Sequence, residues 1–477
     1  MSGYVLGCDV GTTGTKTVLF SSDGKAVKRA YRSYPTFTDG GISEQNAADL
    51  WTALCMTVRE AVSDIPPESV GAISLSTQGG TLIPVGKDGE PVRRAIVWSD
   101  RSCARERELF LPEVGGNDFL HERTGWRLVY GLPLLQVRRL RDREPDIFRK
   151  CTAFLSVHDY ISLKLTGRAV VDMSNAGINE FCDIRTKKYD PALLSFAGIS
   201  ENMLAETADS GDVIGNLTES AAKALGLTVN TVLAAGAHDQ YAASLGAGMT
   251  KPGDVLVGSG TSWAVTALTD RPDFSSGLPV SRSAVPGMWG TLTSLSYGGA
   301  CLDWLRKSVL TPEGETPLPY KELDFRCAGA KAAEKGLFFR PFGENGGSFC
   351  GLGPEDDRYS LARAVMEGVT FEAADMLDAF ACGDSVIFSG GASGSRFWTG
   401  LLADITGKTV LVPEISDLAC VGAGILAGCA CGMFSGINDG CRIMTARTER
   451  VMPDPESTEM YAAARRKYRK STGKPEV

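Results

Sequence analysis

The sequence predicts an α/β protein made of two duplicated domains, and three observations carry that expectation. The chain has 477 residues, too long for one ordinary core and suited to two domains of roughly 240 residues each. Short apolar runs that read as strands alternate with segments of helical period in both halves. A hairpin with a Gly/Thr-rich tip, Gly11-Thr12-Thr13-Gly14, returns one domain later as Gly260-Thr261-Ser262 between two further strands. The domains are expected at 1–245 and 246–477, facing each other across a cleft.

Composition narrows the class. The net charge of −8 and a pI of about 5.2 exclude a broad basic face for nucleic acid or an anionic membrane, while a local basic pocket stays allowed. The thirteen cysteines are scattered without zinc spacing and read as reduced thiols of a cytoplasmic protein. Residues 1–11 enter a strand without the basic and apolar regions of a signal peptide. The run Val421–Phe434 is broken by four glycines and is too short to cross a bilayer.

Tyr4–Asp9 and Thr15–Ser21 read as the arms of the first hairpin. Its tip offers backbone N–H groups and two hydroxyls, which phosphate oxygens need, and Asp9 beside it could hold Mg²⁺ through water. An ordinary hairpin needs no ligand, and that reading stays open for the motif alone. Asn46 caps a helix whose Ala47, Leu50, Trp51, Leu54, Val58 and Ala61 form a core stripe. The strands Val70–Ser76 and Ile96–Trp98 deliver Gln78 and then Asp100-Arg101 at their ends, residue types that bind sugars; a surface ion pair is the plain alternative for the last two. Asp159–Leu165 reads as a helix ending near Gly167. In Val170–Asp183 the polar Asp172, Ser174 and Asn175 either line something or form a capped turn.

The central stretch Ala234–Ser262 joins a possible base to the second turn. The apolar strand Thr231–Ala237 ends on Asp239, a carboxylate placed either to point into a cleft or to cap the following helix. His121, His158 and His238 show no metal spacing, and His238 reads as structural or as a neighbour tuning Asp239. Further on, Ser360 is expected to cap a helix, and Gly368 within it implies a close backbone contact. The strand Asp384–Ser389 leads through Gly390, Gly391 and Ala392 to a helix N-terminus, a seat for the flat or anionic part of a nucleotide. Pro312–Leu323 reads as a surface loop, and Arg465–Lys470 as a solvated helix face. No Walker loop occurs, and Gly422, Gly424 and Gly428 lack dinucleotide spacing and read as a closely packed helix.

In this order the motifs DVGTTGTK, ISEQ, AIVWSDR, HDYISLKLTG, VVDMSNA, AHDQYAASLGAG, GSGTSW, SFCGLG and FSGGASGSRFW resemble the FGGY carbohydrate kinases over nearly the whole chain. The resemblance implies duplicated actin-like, ribonuclease-H-like domains, a small-molecule sugar substrate, ATP and Mg²⁺, and is compatible with a homodimer. It implies that Asp239 is the catalytic base and also touches the sugar, and that Asp9 lies near the metal. Gly11, Thr12, Thr13, Lys16, Gly260 and Thr261 would meet phosphates, and Gly390, Gly391 and Ala392 the adenosine. Gln78, Trp98, Asp100 and Asn175 match positions near the sugar. Gln78-Gly79-Gly80 stands where xylulokinases carry Met-His-Gly, the Arg-Glu of glycerol kinases after the glutamine is missing, and Pro341–Ser348 lacks a longer aromatic insert. A xylulokinase-like pentulose kinase is the first expectation, with gluconate or another polyol next. Gln78→His is then expected to change the ranking of sugars and leave ATP alone. The rivals are an actin- or chaperone-like ATPase and a non-catalytic sugar sensor; Asp9 and Asp239 together argue against both.

Overall fold

The computed structural model describes residues 3–343, 346–445 and 448–473. Glu344 and Asn345 of the Pro341–Ser348 segment lie outside the described residues. The chain divides into two compact units. The first holds Met1–Thr250, Leu268–Thr291 and Asp417–Ala446; the second holds Lys251–Ala267, Leu292–Ser416 and Arg447–Val477.

The first unit is built on strands β1 (Tyr4–Val10), β2 (Gly14–Ser21), β3 (Ala26–Ser33), β4 (Val70–Thr77), β5 (Val213–Asn216) and β6 (Val232–His238), in the spatial order β5-β6-β4-β1-β2-β3. β1, β4 and β6 run parallel, while β1–β2, β2–β3 and β5–β6 are antiparallel. Every residue of β4 is buried, as expected of a strand covered on both faces. The helix Ala47–Val62 is capped by Asn46, whose side chain accepts from the Ala48 N–H, and it buries the Leu50, Leu54 and Val58 stripe as the sequence predicts.

The second unit repeats the plan with β7 (Val255–Ser259), β8 (Trp263–Thr269), β9 (Ser385–Gly390), β10 (Thr409–Pro413) and β11 (Thr448–Val451), in the order β8-β7-β9-β10-β11. An antiparallel hairpin is again followed by two parallel strands and an antiparallel edge. The two-domain α/β architecture is therefore the duplicated one read from the repeated turn.

Glycine permits close backbone approach around one helix of the first unit. The small-residue helix Leu418–Ala430 lies so near β1 and the helix Asp239–Gly246 that a Cβ on Gly7 would stand 1.9 Å from the Cys420 carbonyl oxygen. A Cβ on Gly422 would stand 1.9 Å from that of Ala242. This is the packing expected for Gly422, Gly424 and Gly428. Gly368 likewise abuts the Phe339 carbonyl oxygen, 2.1 Å from where its Cβ would lie.

Several local expectations are corrected. The strand at Ile96–Trp98 is only the pair Ala95–Ile96, because the chain turns at once to bury Asp100. The helix assigned to a Ser360 cap is Arg358–Asp378, capped three residues earlier by Asp357, whose carboxylate accepts from the Tyr359 and Ser360 N–H groups. The Pro312–Leu323 loop gives way to a helix at Tyr320. Arg465 and Arg469 are not solvated: Arg465 donates to Asp375 and Asp378, and both side chains are largely covered. The run looked like a free basic face because its acidic partners lie some 90 residues away in sequence.

Candidate active site

Sheet register assembles the first half of the site. Asp9 stands opposite Ser76, which stands opposite Ala237, and the next row is Val10, Thr77 and His238. Asp239 follows directly as the first residue of the helix Asp239–Gly246. Asp9 and Asp239 thus share the carboxyl-end edge of three parallel strands, the usual place for ligands on such a sheet. The cap position belongs to His238, so Asp239 is free of the capping role considered for it. Its side chain is about a third exposed, with Oδ1 3.2 Å from His238 Nε2. Burial pushes the Asp9 carboxyl up to about 6; the Ser76 hydroxyl, donating to its Oδ1 at 2.7 Å, works against this, and the negative charge of Asp239 adds to it.

A buried polar frame fixes that edge. Asp172 caps the helix Met173–Ile178 by accepting from the Ser174 and Asn175 N–H groups. Ser174 Oγ donates to Asp172 and accepts from the His238 N–H at 2.8 Å, which ties the end of β6. His158 Nε2 accepts from the Gly236 N–H while Nδ1 donates to the Val170 carbonyl, so this histidine is neutral and structural. The capped-turn reading of Asp172 and Ser174 is the one found. Asn175 keeps an open function: Nδ2 donates to Asp172 and Thr77, and its buried Oδ1 has no partner among the described residues.

The first glycine turn is held from beneath. Tyr34 OH and Gln78 Nε2 donate to the Gly11 carbonyl, and Gln45 Nε2 donates to that of Thr12. Among the described residues the N–H groups of Thr12 and Thr13 donate to no partner, which leaves them available to an anion. Trp98, half exposed, donates through Nε1 to Thr12 Oγ1, which donates to Gln78 Oε1. Gln78 is buried, with its amide spent on Gly11, Thr12, Gln45 and Thr81. Asp100 is buried too and accepts from the Ser43 and Ser102 N–H groups. Lys16 reaches Asp417 Oδ1 at 2.7 Å, and Asp417 also takes Arg29. Burial pushes the Asp417 carboxyl up, but its two cations outweigh that and hold it below the usual range. Sequence reasoning missed Gln45 as a site residue, although it closes the ISEQ motif.

The second unit contains a cavity of about 800 Å³ lined by Gly260, Thr261, Gly391 and Ala392. Gly390 at its edge has φ of 95°, and its Cβ would stand 2.6 Å from the Ser259 carbonyl oxygen, so glycine is required there. Ser259 Oγ donates to the Ser389 carbonyl and accepts from the Ala392 N–H, joining the two turns. Trp304, Asp324, Ser395 and Trp398 also line it and were not singled out in the sequence, because they come from three separate stretches.

Among the described residues no cluster of three or more His, Cys, Asp or Glu could hold a metal alone, all thirteen cysteines are free, and no helix is long and apolar enough to cross a membrane.

Two glycine turns on duplicated sheets, with a carboxylate pair at one sheet edge and a cavity beside the other, define a phosphotransferase of the actin-like class. The chain belongs to the FGGY family of carbohydrate kinases: the model of the family's N-terminal domain matches residues 4–246 and that of its C-terminal domain residues 255–431. It is similar to a gluconokinase of Bacillus subtilis, 27% identical over 97% of this chain and 94% of that protein. A xylulose kinase of the same organism is 26% identical over 96% and 94%. The solved xylulose kinase from Rhodospirillum rubrum superposes with a TM-score of 0.90 at 26% identity, covering 98% of each chain.

Proposed function

We propose that this carbohydrate kinase transfers the γ-phosphoryl group of ATP to a hydroxyl of a pentulose such as xylulose. The observation that carries the transfer is Asp239 on the same sheet edge as Asp9, beside a turn with free N–H groups. The resemblance to xylulose kinases in sequence and in fold supports the pentulose. Gluconate is the second reading, favoured by the gluconokinase relative.

Asp239 Oδ accepts the proton of the attacking hydroxyl as its oxygen bonds to the γ-phosphorus and the bond from that phosphorus to the bridging oxygen of the departing ADP breaks; a base of this kind contributes about 10²–10⁴-fold. Trp98 offers its face to the apolar side of the sugar and Asn175 Oδ1 accepts from a sugar hydroxyl. The amides of Thr12 and Thr13 and the Thr261 hydroxyl take phosphate oxygens, and Gly391 with Ala392 seats the adenosine. A carboxylate edge of one or two groups suits Mg²⁺, which proteins hold through few carboxylates plus substrate phosphates, so Asp9 would carry it. When bound, Mg²⁺ neutralises charge on the transferring phosphates. Gln78 and Asp100, whose polar atoms are engaged within the chain, act by holding Thr12 and the Ser99–Ser102 turn in place.

A coupled ATPase screen over pentuloses, hexuloses, sugar acids and polyols tests this reading. The highest kcat/KM is expected for a pentulose, and turnover confined to gluconate would replace it. Gly394 lines the cavity, and a Cβ there meets open space. Gly394→Trp should therefore weaken ATP binding without strain; an unchanged affinity would remove the nucleotide from this cavity.

A further inference from the structure

The cavity of the second unit carries two carboxylates, and they differ in what they can still accept. Asp303 is occupied: Lys307, Arg306 and Tyr320 donate to it at 2.7, 3.0 and 2.9 Å, and they hold its carboxyl at about 2. Asp324 has no such company. Burial raises its carboxyl above the usual range, and the Ser395 hydroxyl is the one group that lowers it; no Lys or Arg among the described residues pairs with it. Ser395 caps the helix Arg396–Thr406 and accepts from the Trp398 N–H at 3.0 Å, so its own proton is free to go to Asp324. One hydroxyl leaves most of a carboxylate's acceptor capacity unused. A half-buried anionic acceptor that faces a cavity in this state favours an incoming donor.

Resting on the reading of this cavity as the nucleotide site, we infer that Asp324 selects the nucleoside by accepting a hydrogen bond from one of its donor groups, the base amine or a ribose hydroxyl. Phosphates are anionic and only accept, so the same carboxylate repels them and directs the triphosphate toward the Gly260–Thr261 turn. Asp324 thereby fixes which end of the nucleotide enters where.

The test is a binding cycle on the full chain without sugar, by calorimetry, with ATP, ITP, 2′-deoxy-ATP and 3′-deoxy-ATP against wild type, Asp324→Ala and Asp324→Asn. One analogue should bind wild type about ten-fold or more weakly than ATP, as expected for a lost bond to a charged acceptor. In Asp324→Ala that ratio should fall to within about two-fold. Loss with ITP assigns the base amine, and loss with a deoxy nucleotide assigns the hydroxyl. The Asn variant keeps the size of the side chain and one accepting oxygen without the charge, so should the Ala variant fail to fold it reports the cycle as a ratio that falls part of the way. Ratios that are equal in wild type and variants for all three analogues overturn the assignment of Asp324. That failure is separate from failure of the cavity reading, in which Gly394→Trp leaves ATP affinity unchanged.

Discussion

At the scale of single residues, Asp239 is the group whose removal should matter most. Asp239→Asn keeps the size of the side chain and removes the proton acceptor, so turnover should fall by about 10²–10⁴-fold. ATP affinity should persist, since the proposed contacts to adenosine lie in the other unit. Turnover near wild type would take Asp239 out of the mechanism. Gln78 is instructive in another way. From the sequence, Gln78→His is expected to move sugar preference alone, yet its amide holds the Gly11 carbonyl and the Thr12 hydroxyl. The structure therefore predicts that this change raises the KM for ATP as well as altering the sugar; a pure sugar effect would restore the simpler picture.

Glu180 was passed over in the sequence, where it reads as one more charged residue. It is fully buried with a left-handed backbone, φ 63°, and neither carboxyl oxygen has a hydrogen-bond partner among the described residues. Burial pushes its carboxyl well above the ordinary 4.5, and the nearby Val129 backbone offsets only part of this. The unfolded chain ionises near 4.5 while the folded chain keeps its proton, so stability falls as pH rises above that value. Glu180→Gln cannot ionise and should gain in melting temperature over wild type, by more at pH 8 than at pH 5. Equal gains at the two pH values would show that Glu180 is not held neutral.

At the scale of elements, the helix Leu418–Ala430 shows why glycines recur where no nucleotide binds. A methyl group on Gly422 has to displace the Ala242 backbone, not a flexible side chain. Gly422→Ala should cost about 2–3 kcal/mol, the upper part of the range for overpacking. Urea unfolding measures it, and a loss under about 0.5 kcal/mol, the scatter of neutral surface changes, would mean that the helices separate easily. The Asp417 clamp starts the same helix. Its carboxyl is held low by Lys16 and Arg29, so its contribution is full above the ordinary carboxylate value and is lost as pH falls below that value through the lowered one.

For the whole molecule, recognition is expected to divide between the units. Trp98 and Asn175 belong to the first, whereas Trp304 and Gly394 belong to the second. Asn175→Ala should raise the sugar KM about ten-fold or more and leave ATP affinity within about two-fold, the selectivity expected of a hydrogen-bonding site. Trp304→Ala and Gly394→Trp should do the reverse. Steady-state kinetics with each substrate varied in turn decides this, and variants that move both constants equally would undo the division.

The sequence by itself determined the duplicated α/β plan, the two glycine turns, the Asn46-capped core helix and the places of Asp9 and Asp239 at strand ends. Each rests on local chemistry: alternation of apolar residues, turn residues of fixed type, and a carboxylate at a strand end. Tertiary structure alone decided how polar groups are spent. Gln78 and Asp100 read as sugar ligands because their types suit one, but whether an amide or carboxylate is free depends on partners 33 to 67 residues away. It also decided the cavity wall, since Trp304, Asp324 and Ser395 meet only once the second unit has folded. A side chain's type is written in the sequence, whereas its unused hydrogen-bonding capacity is a property of the packed chain.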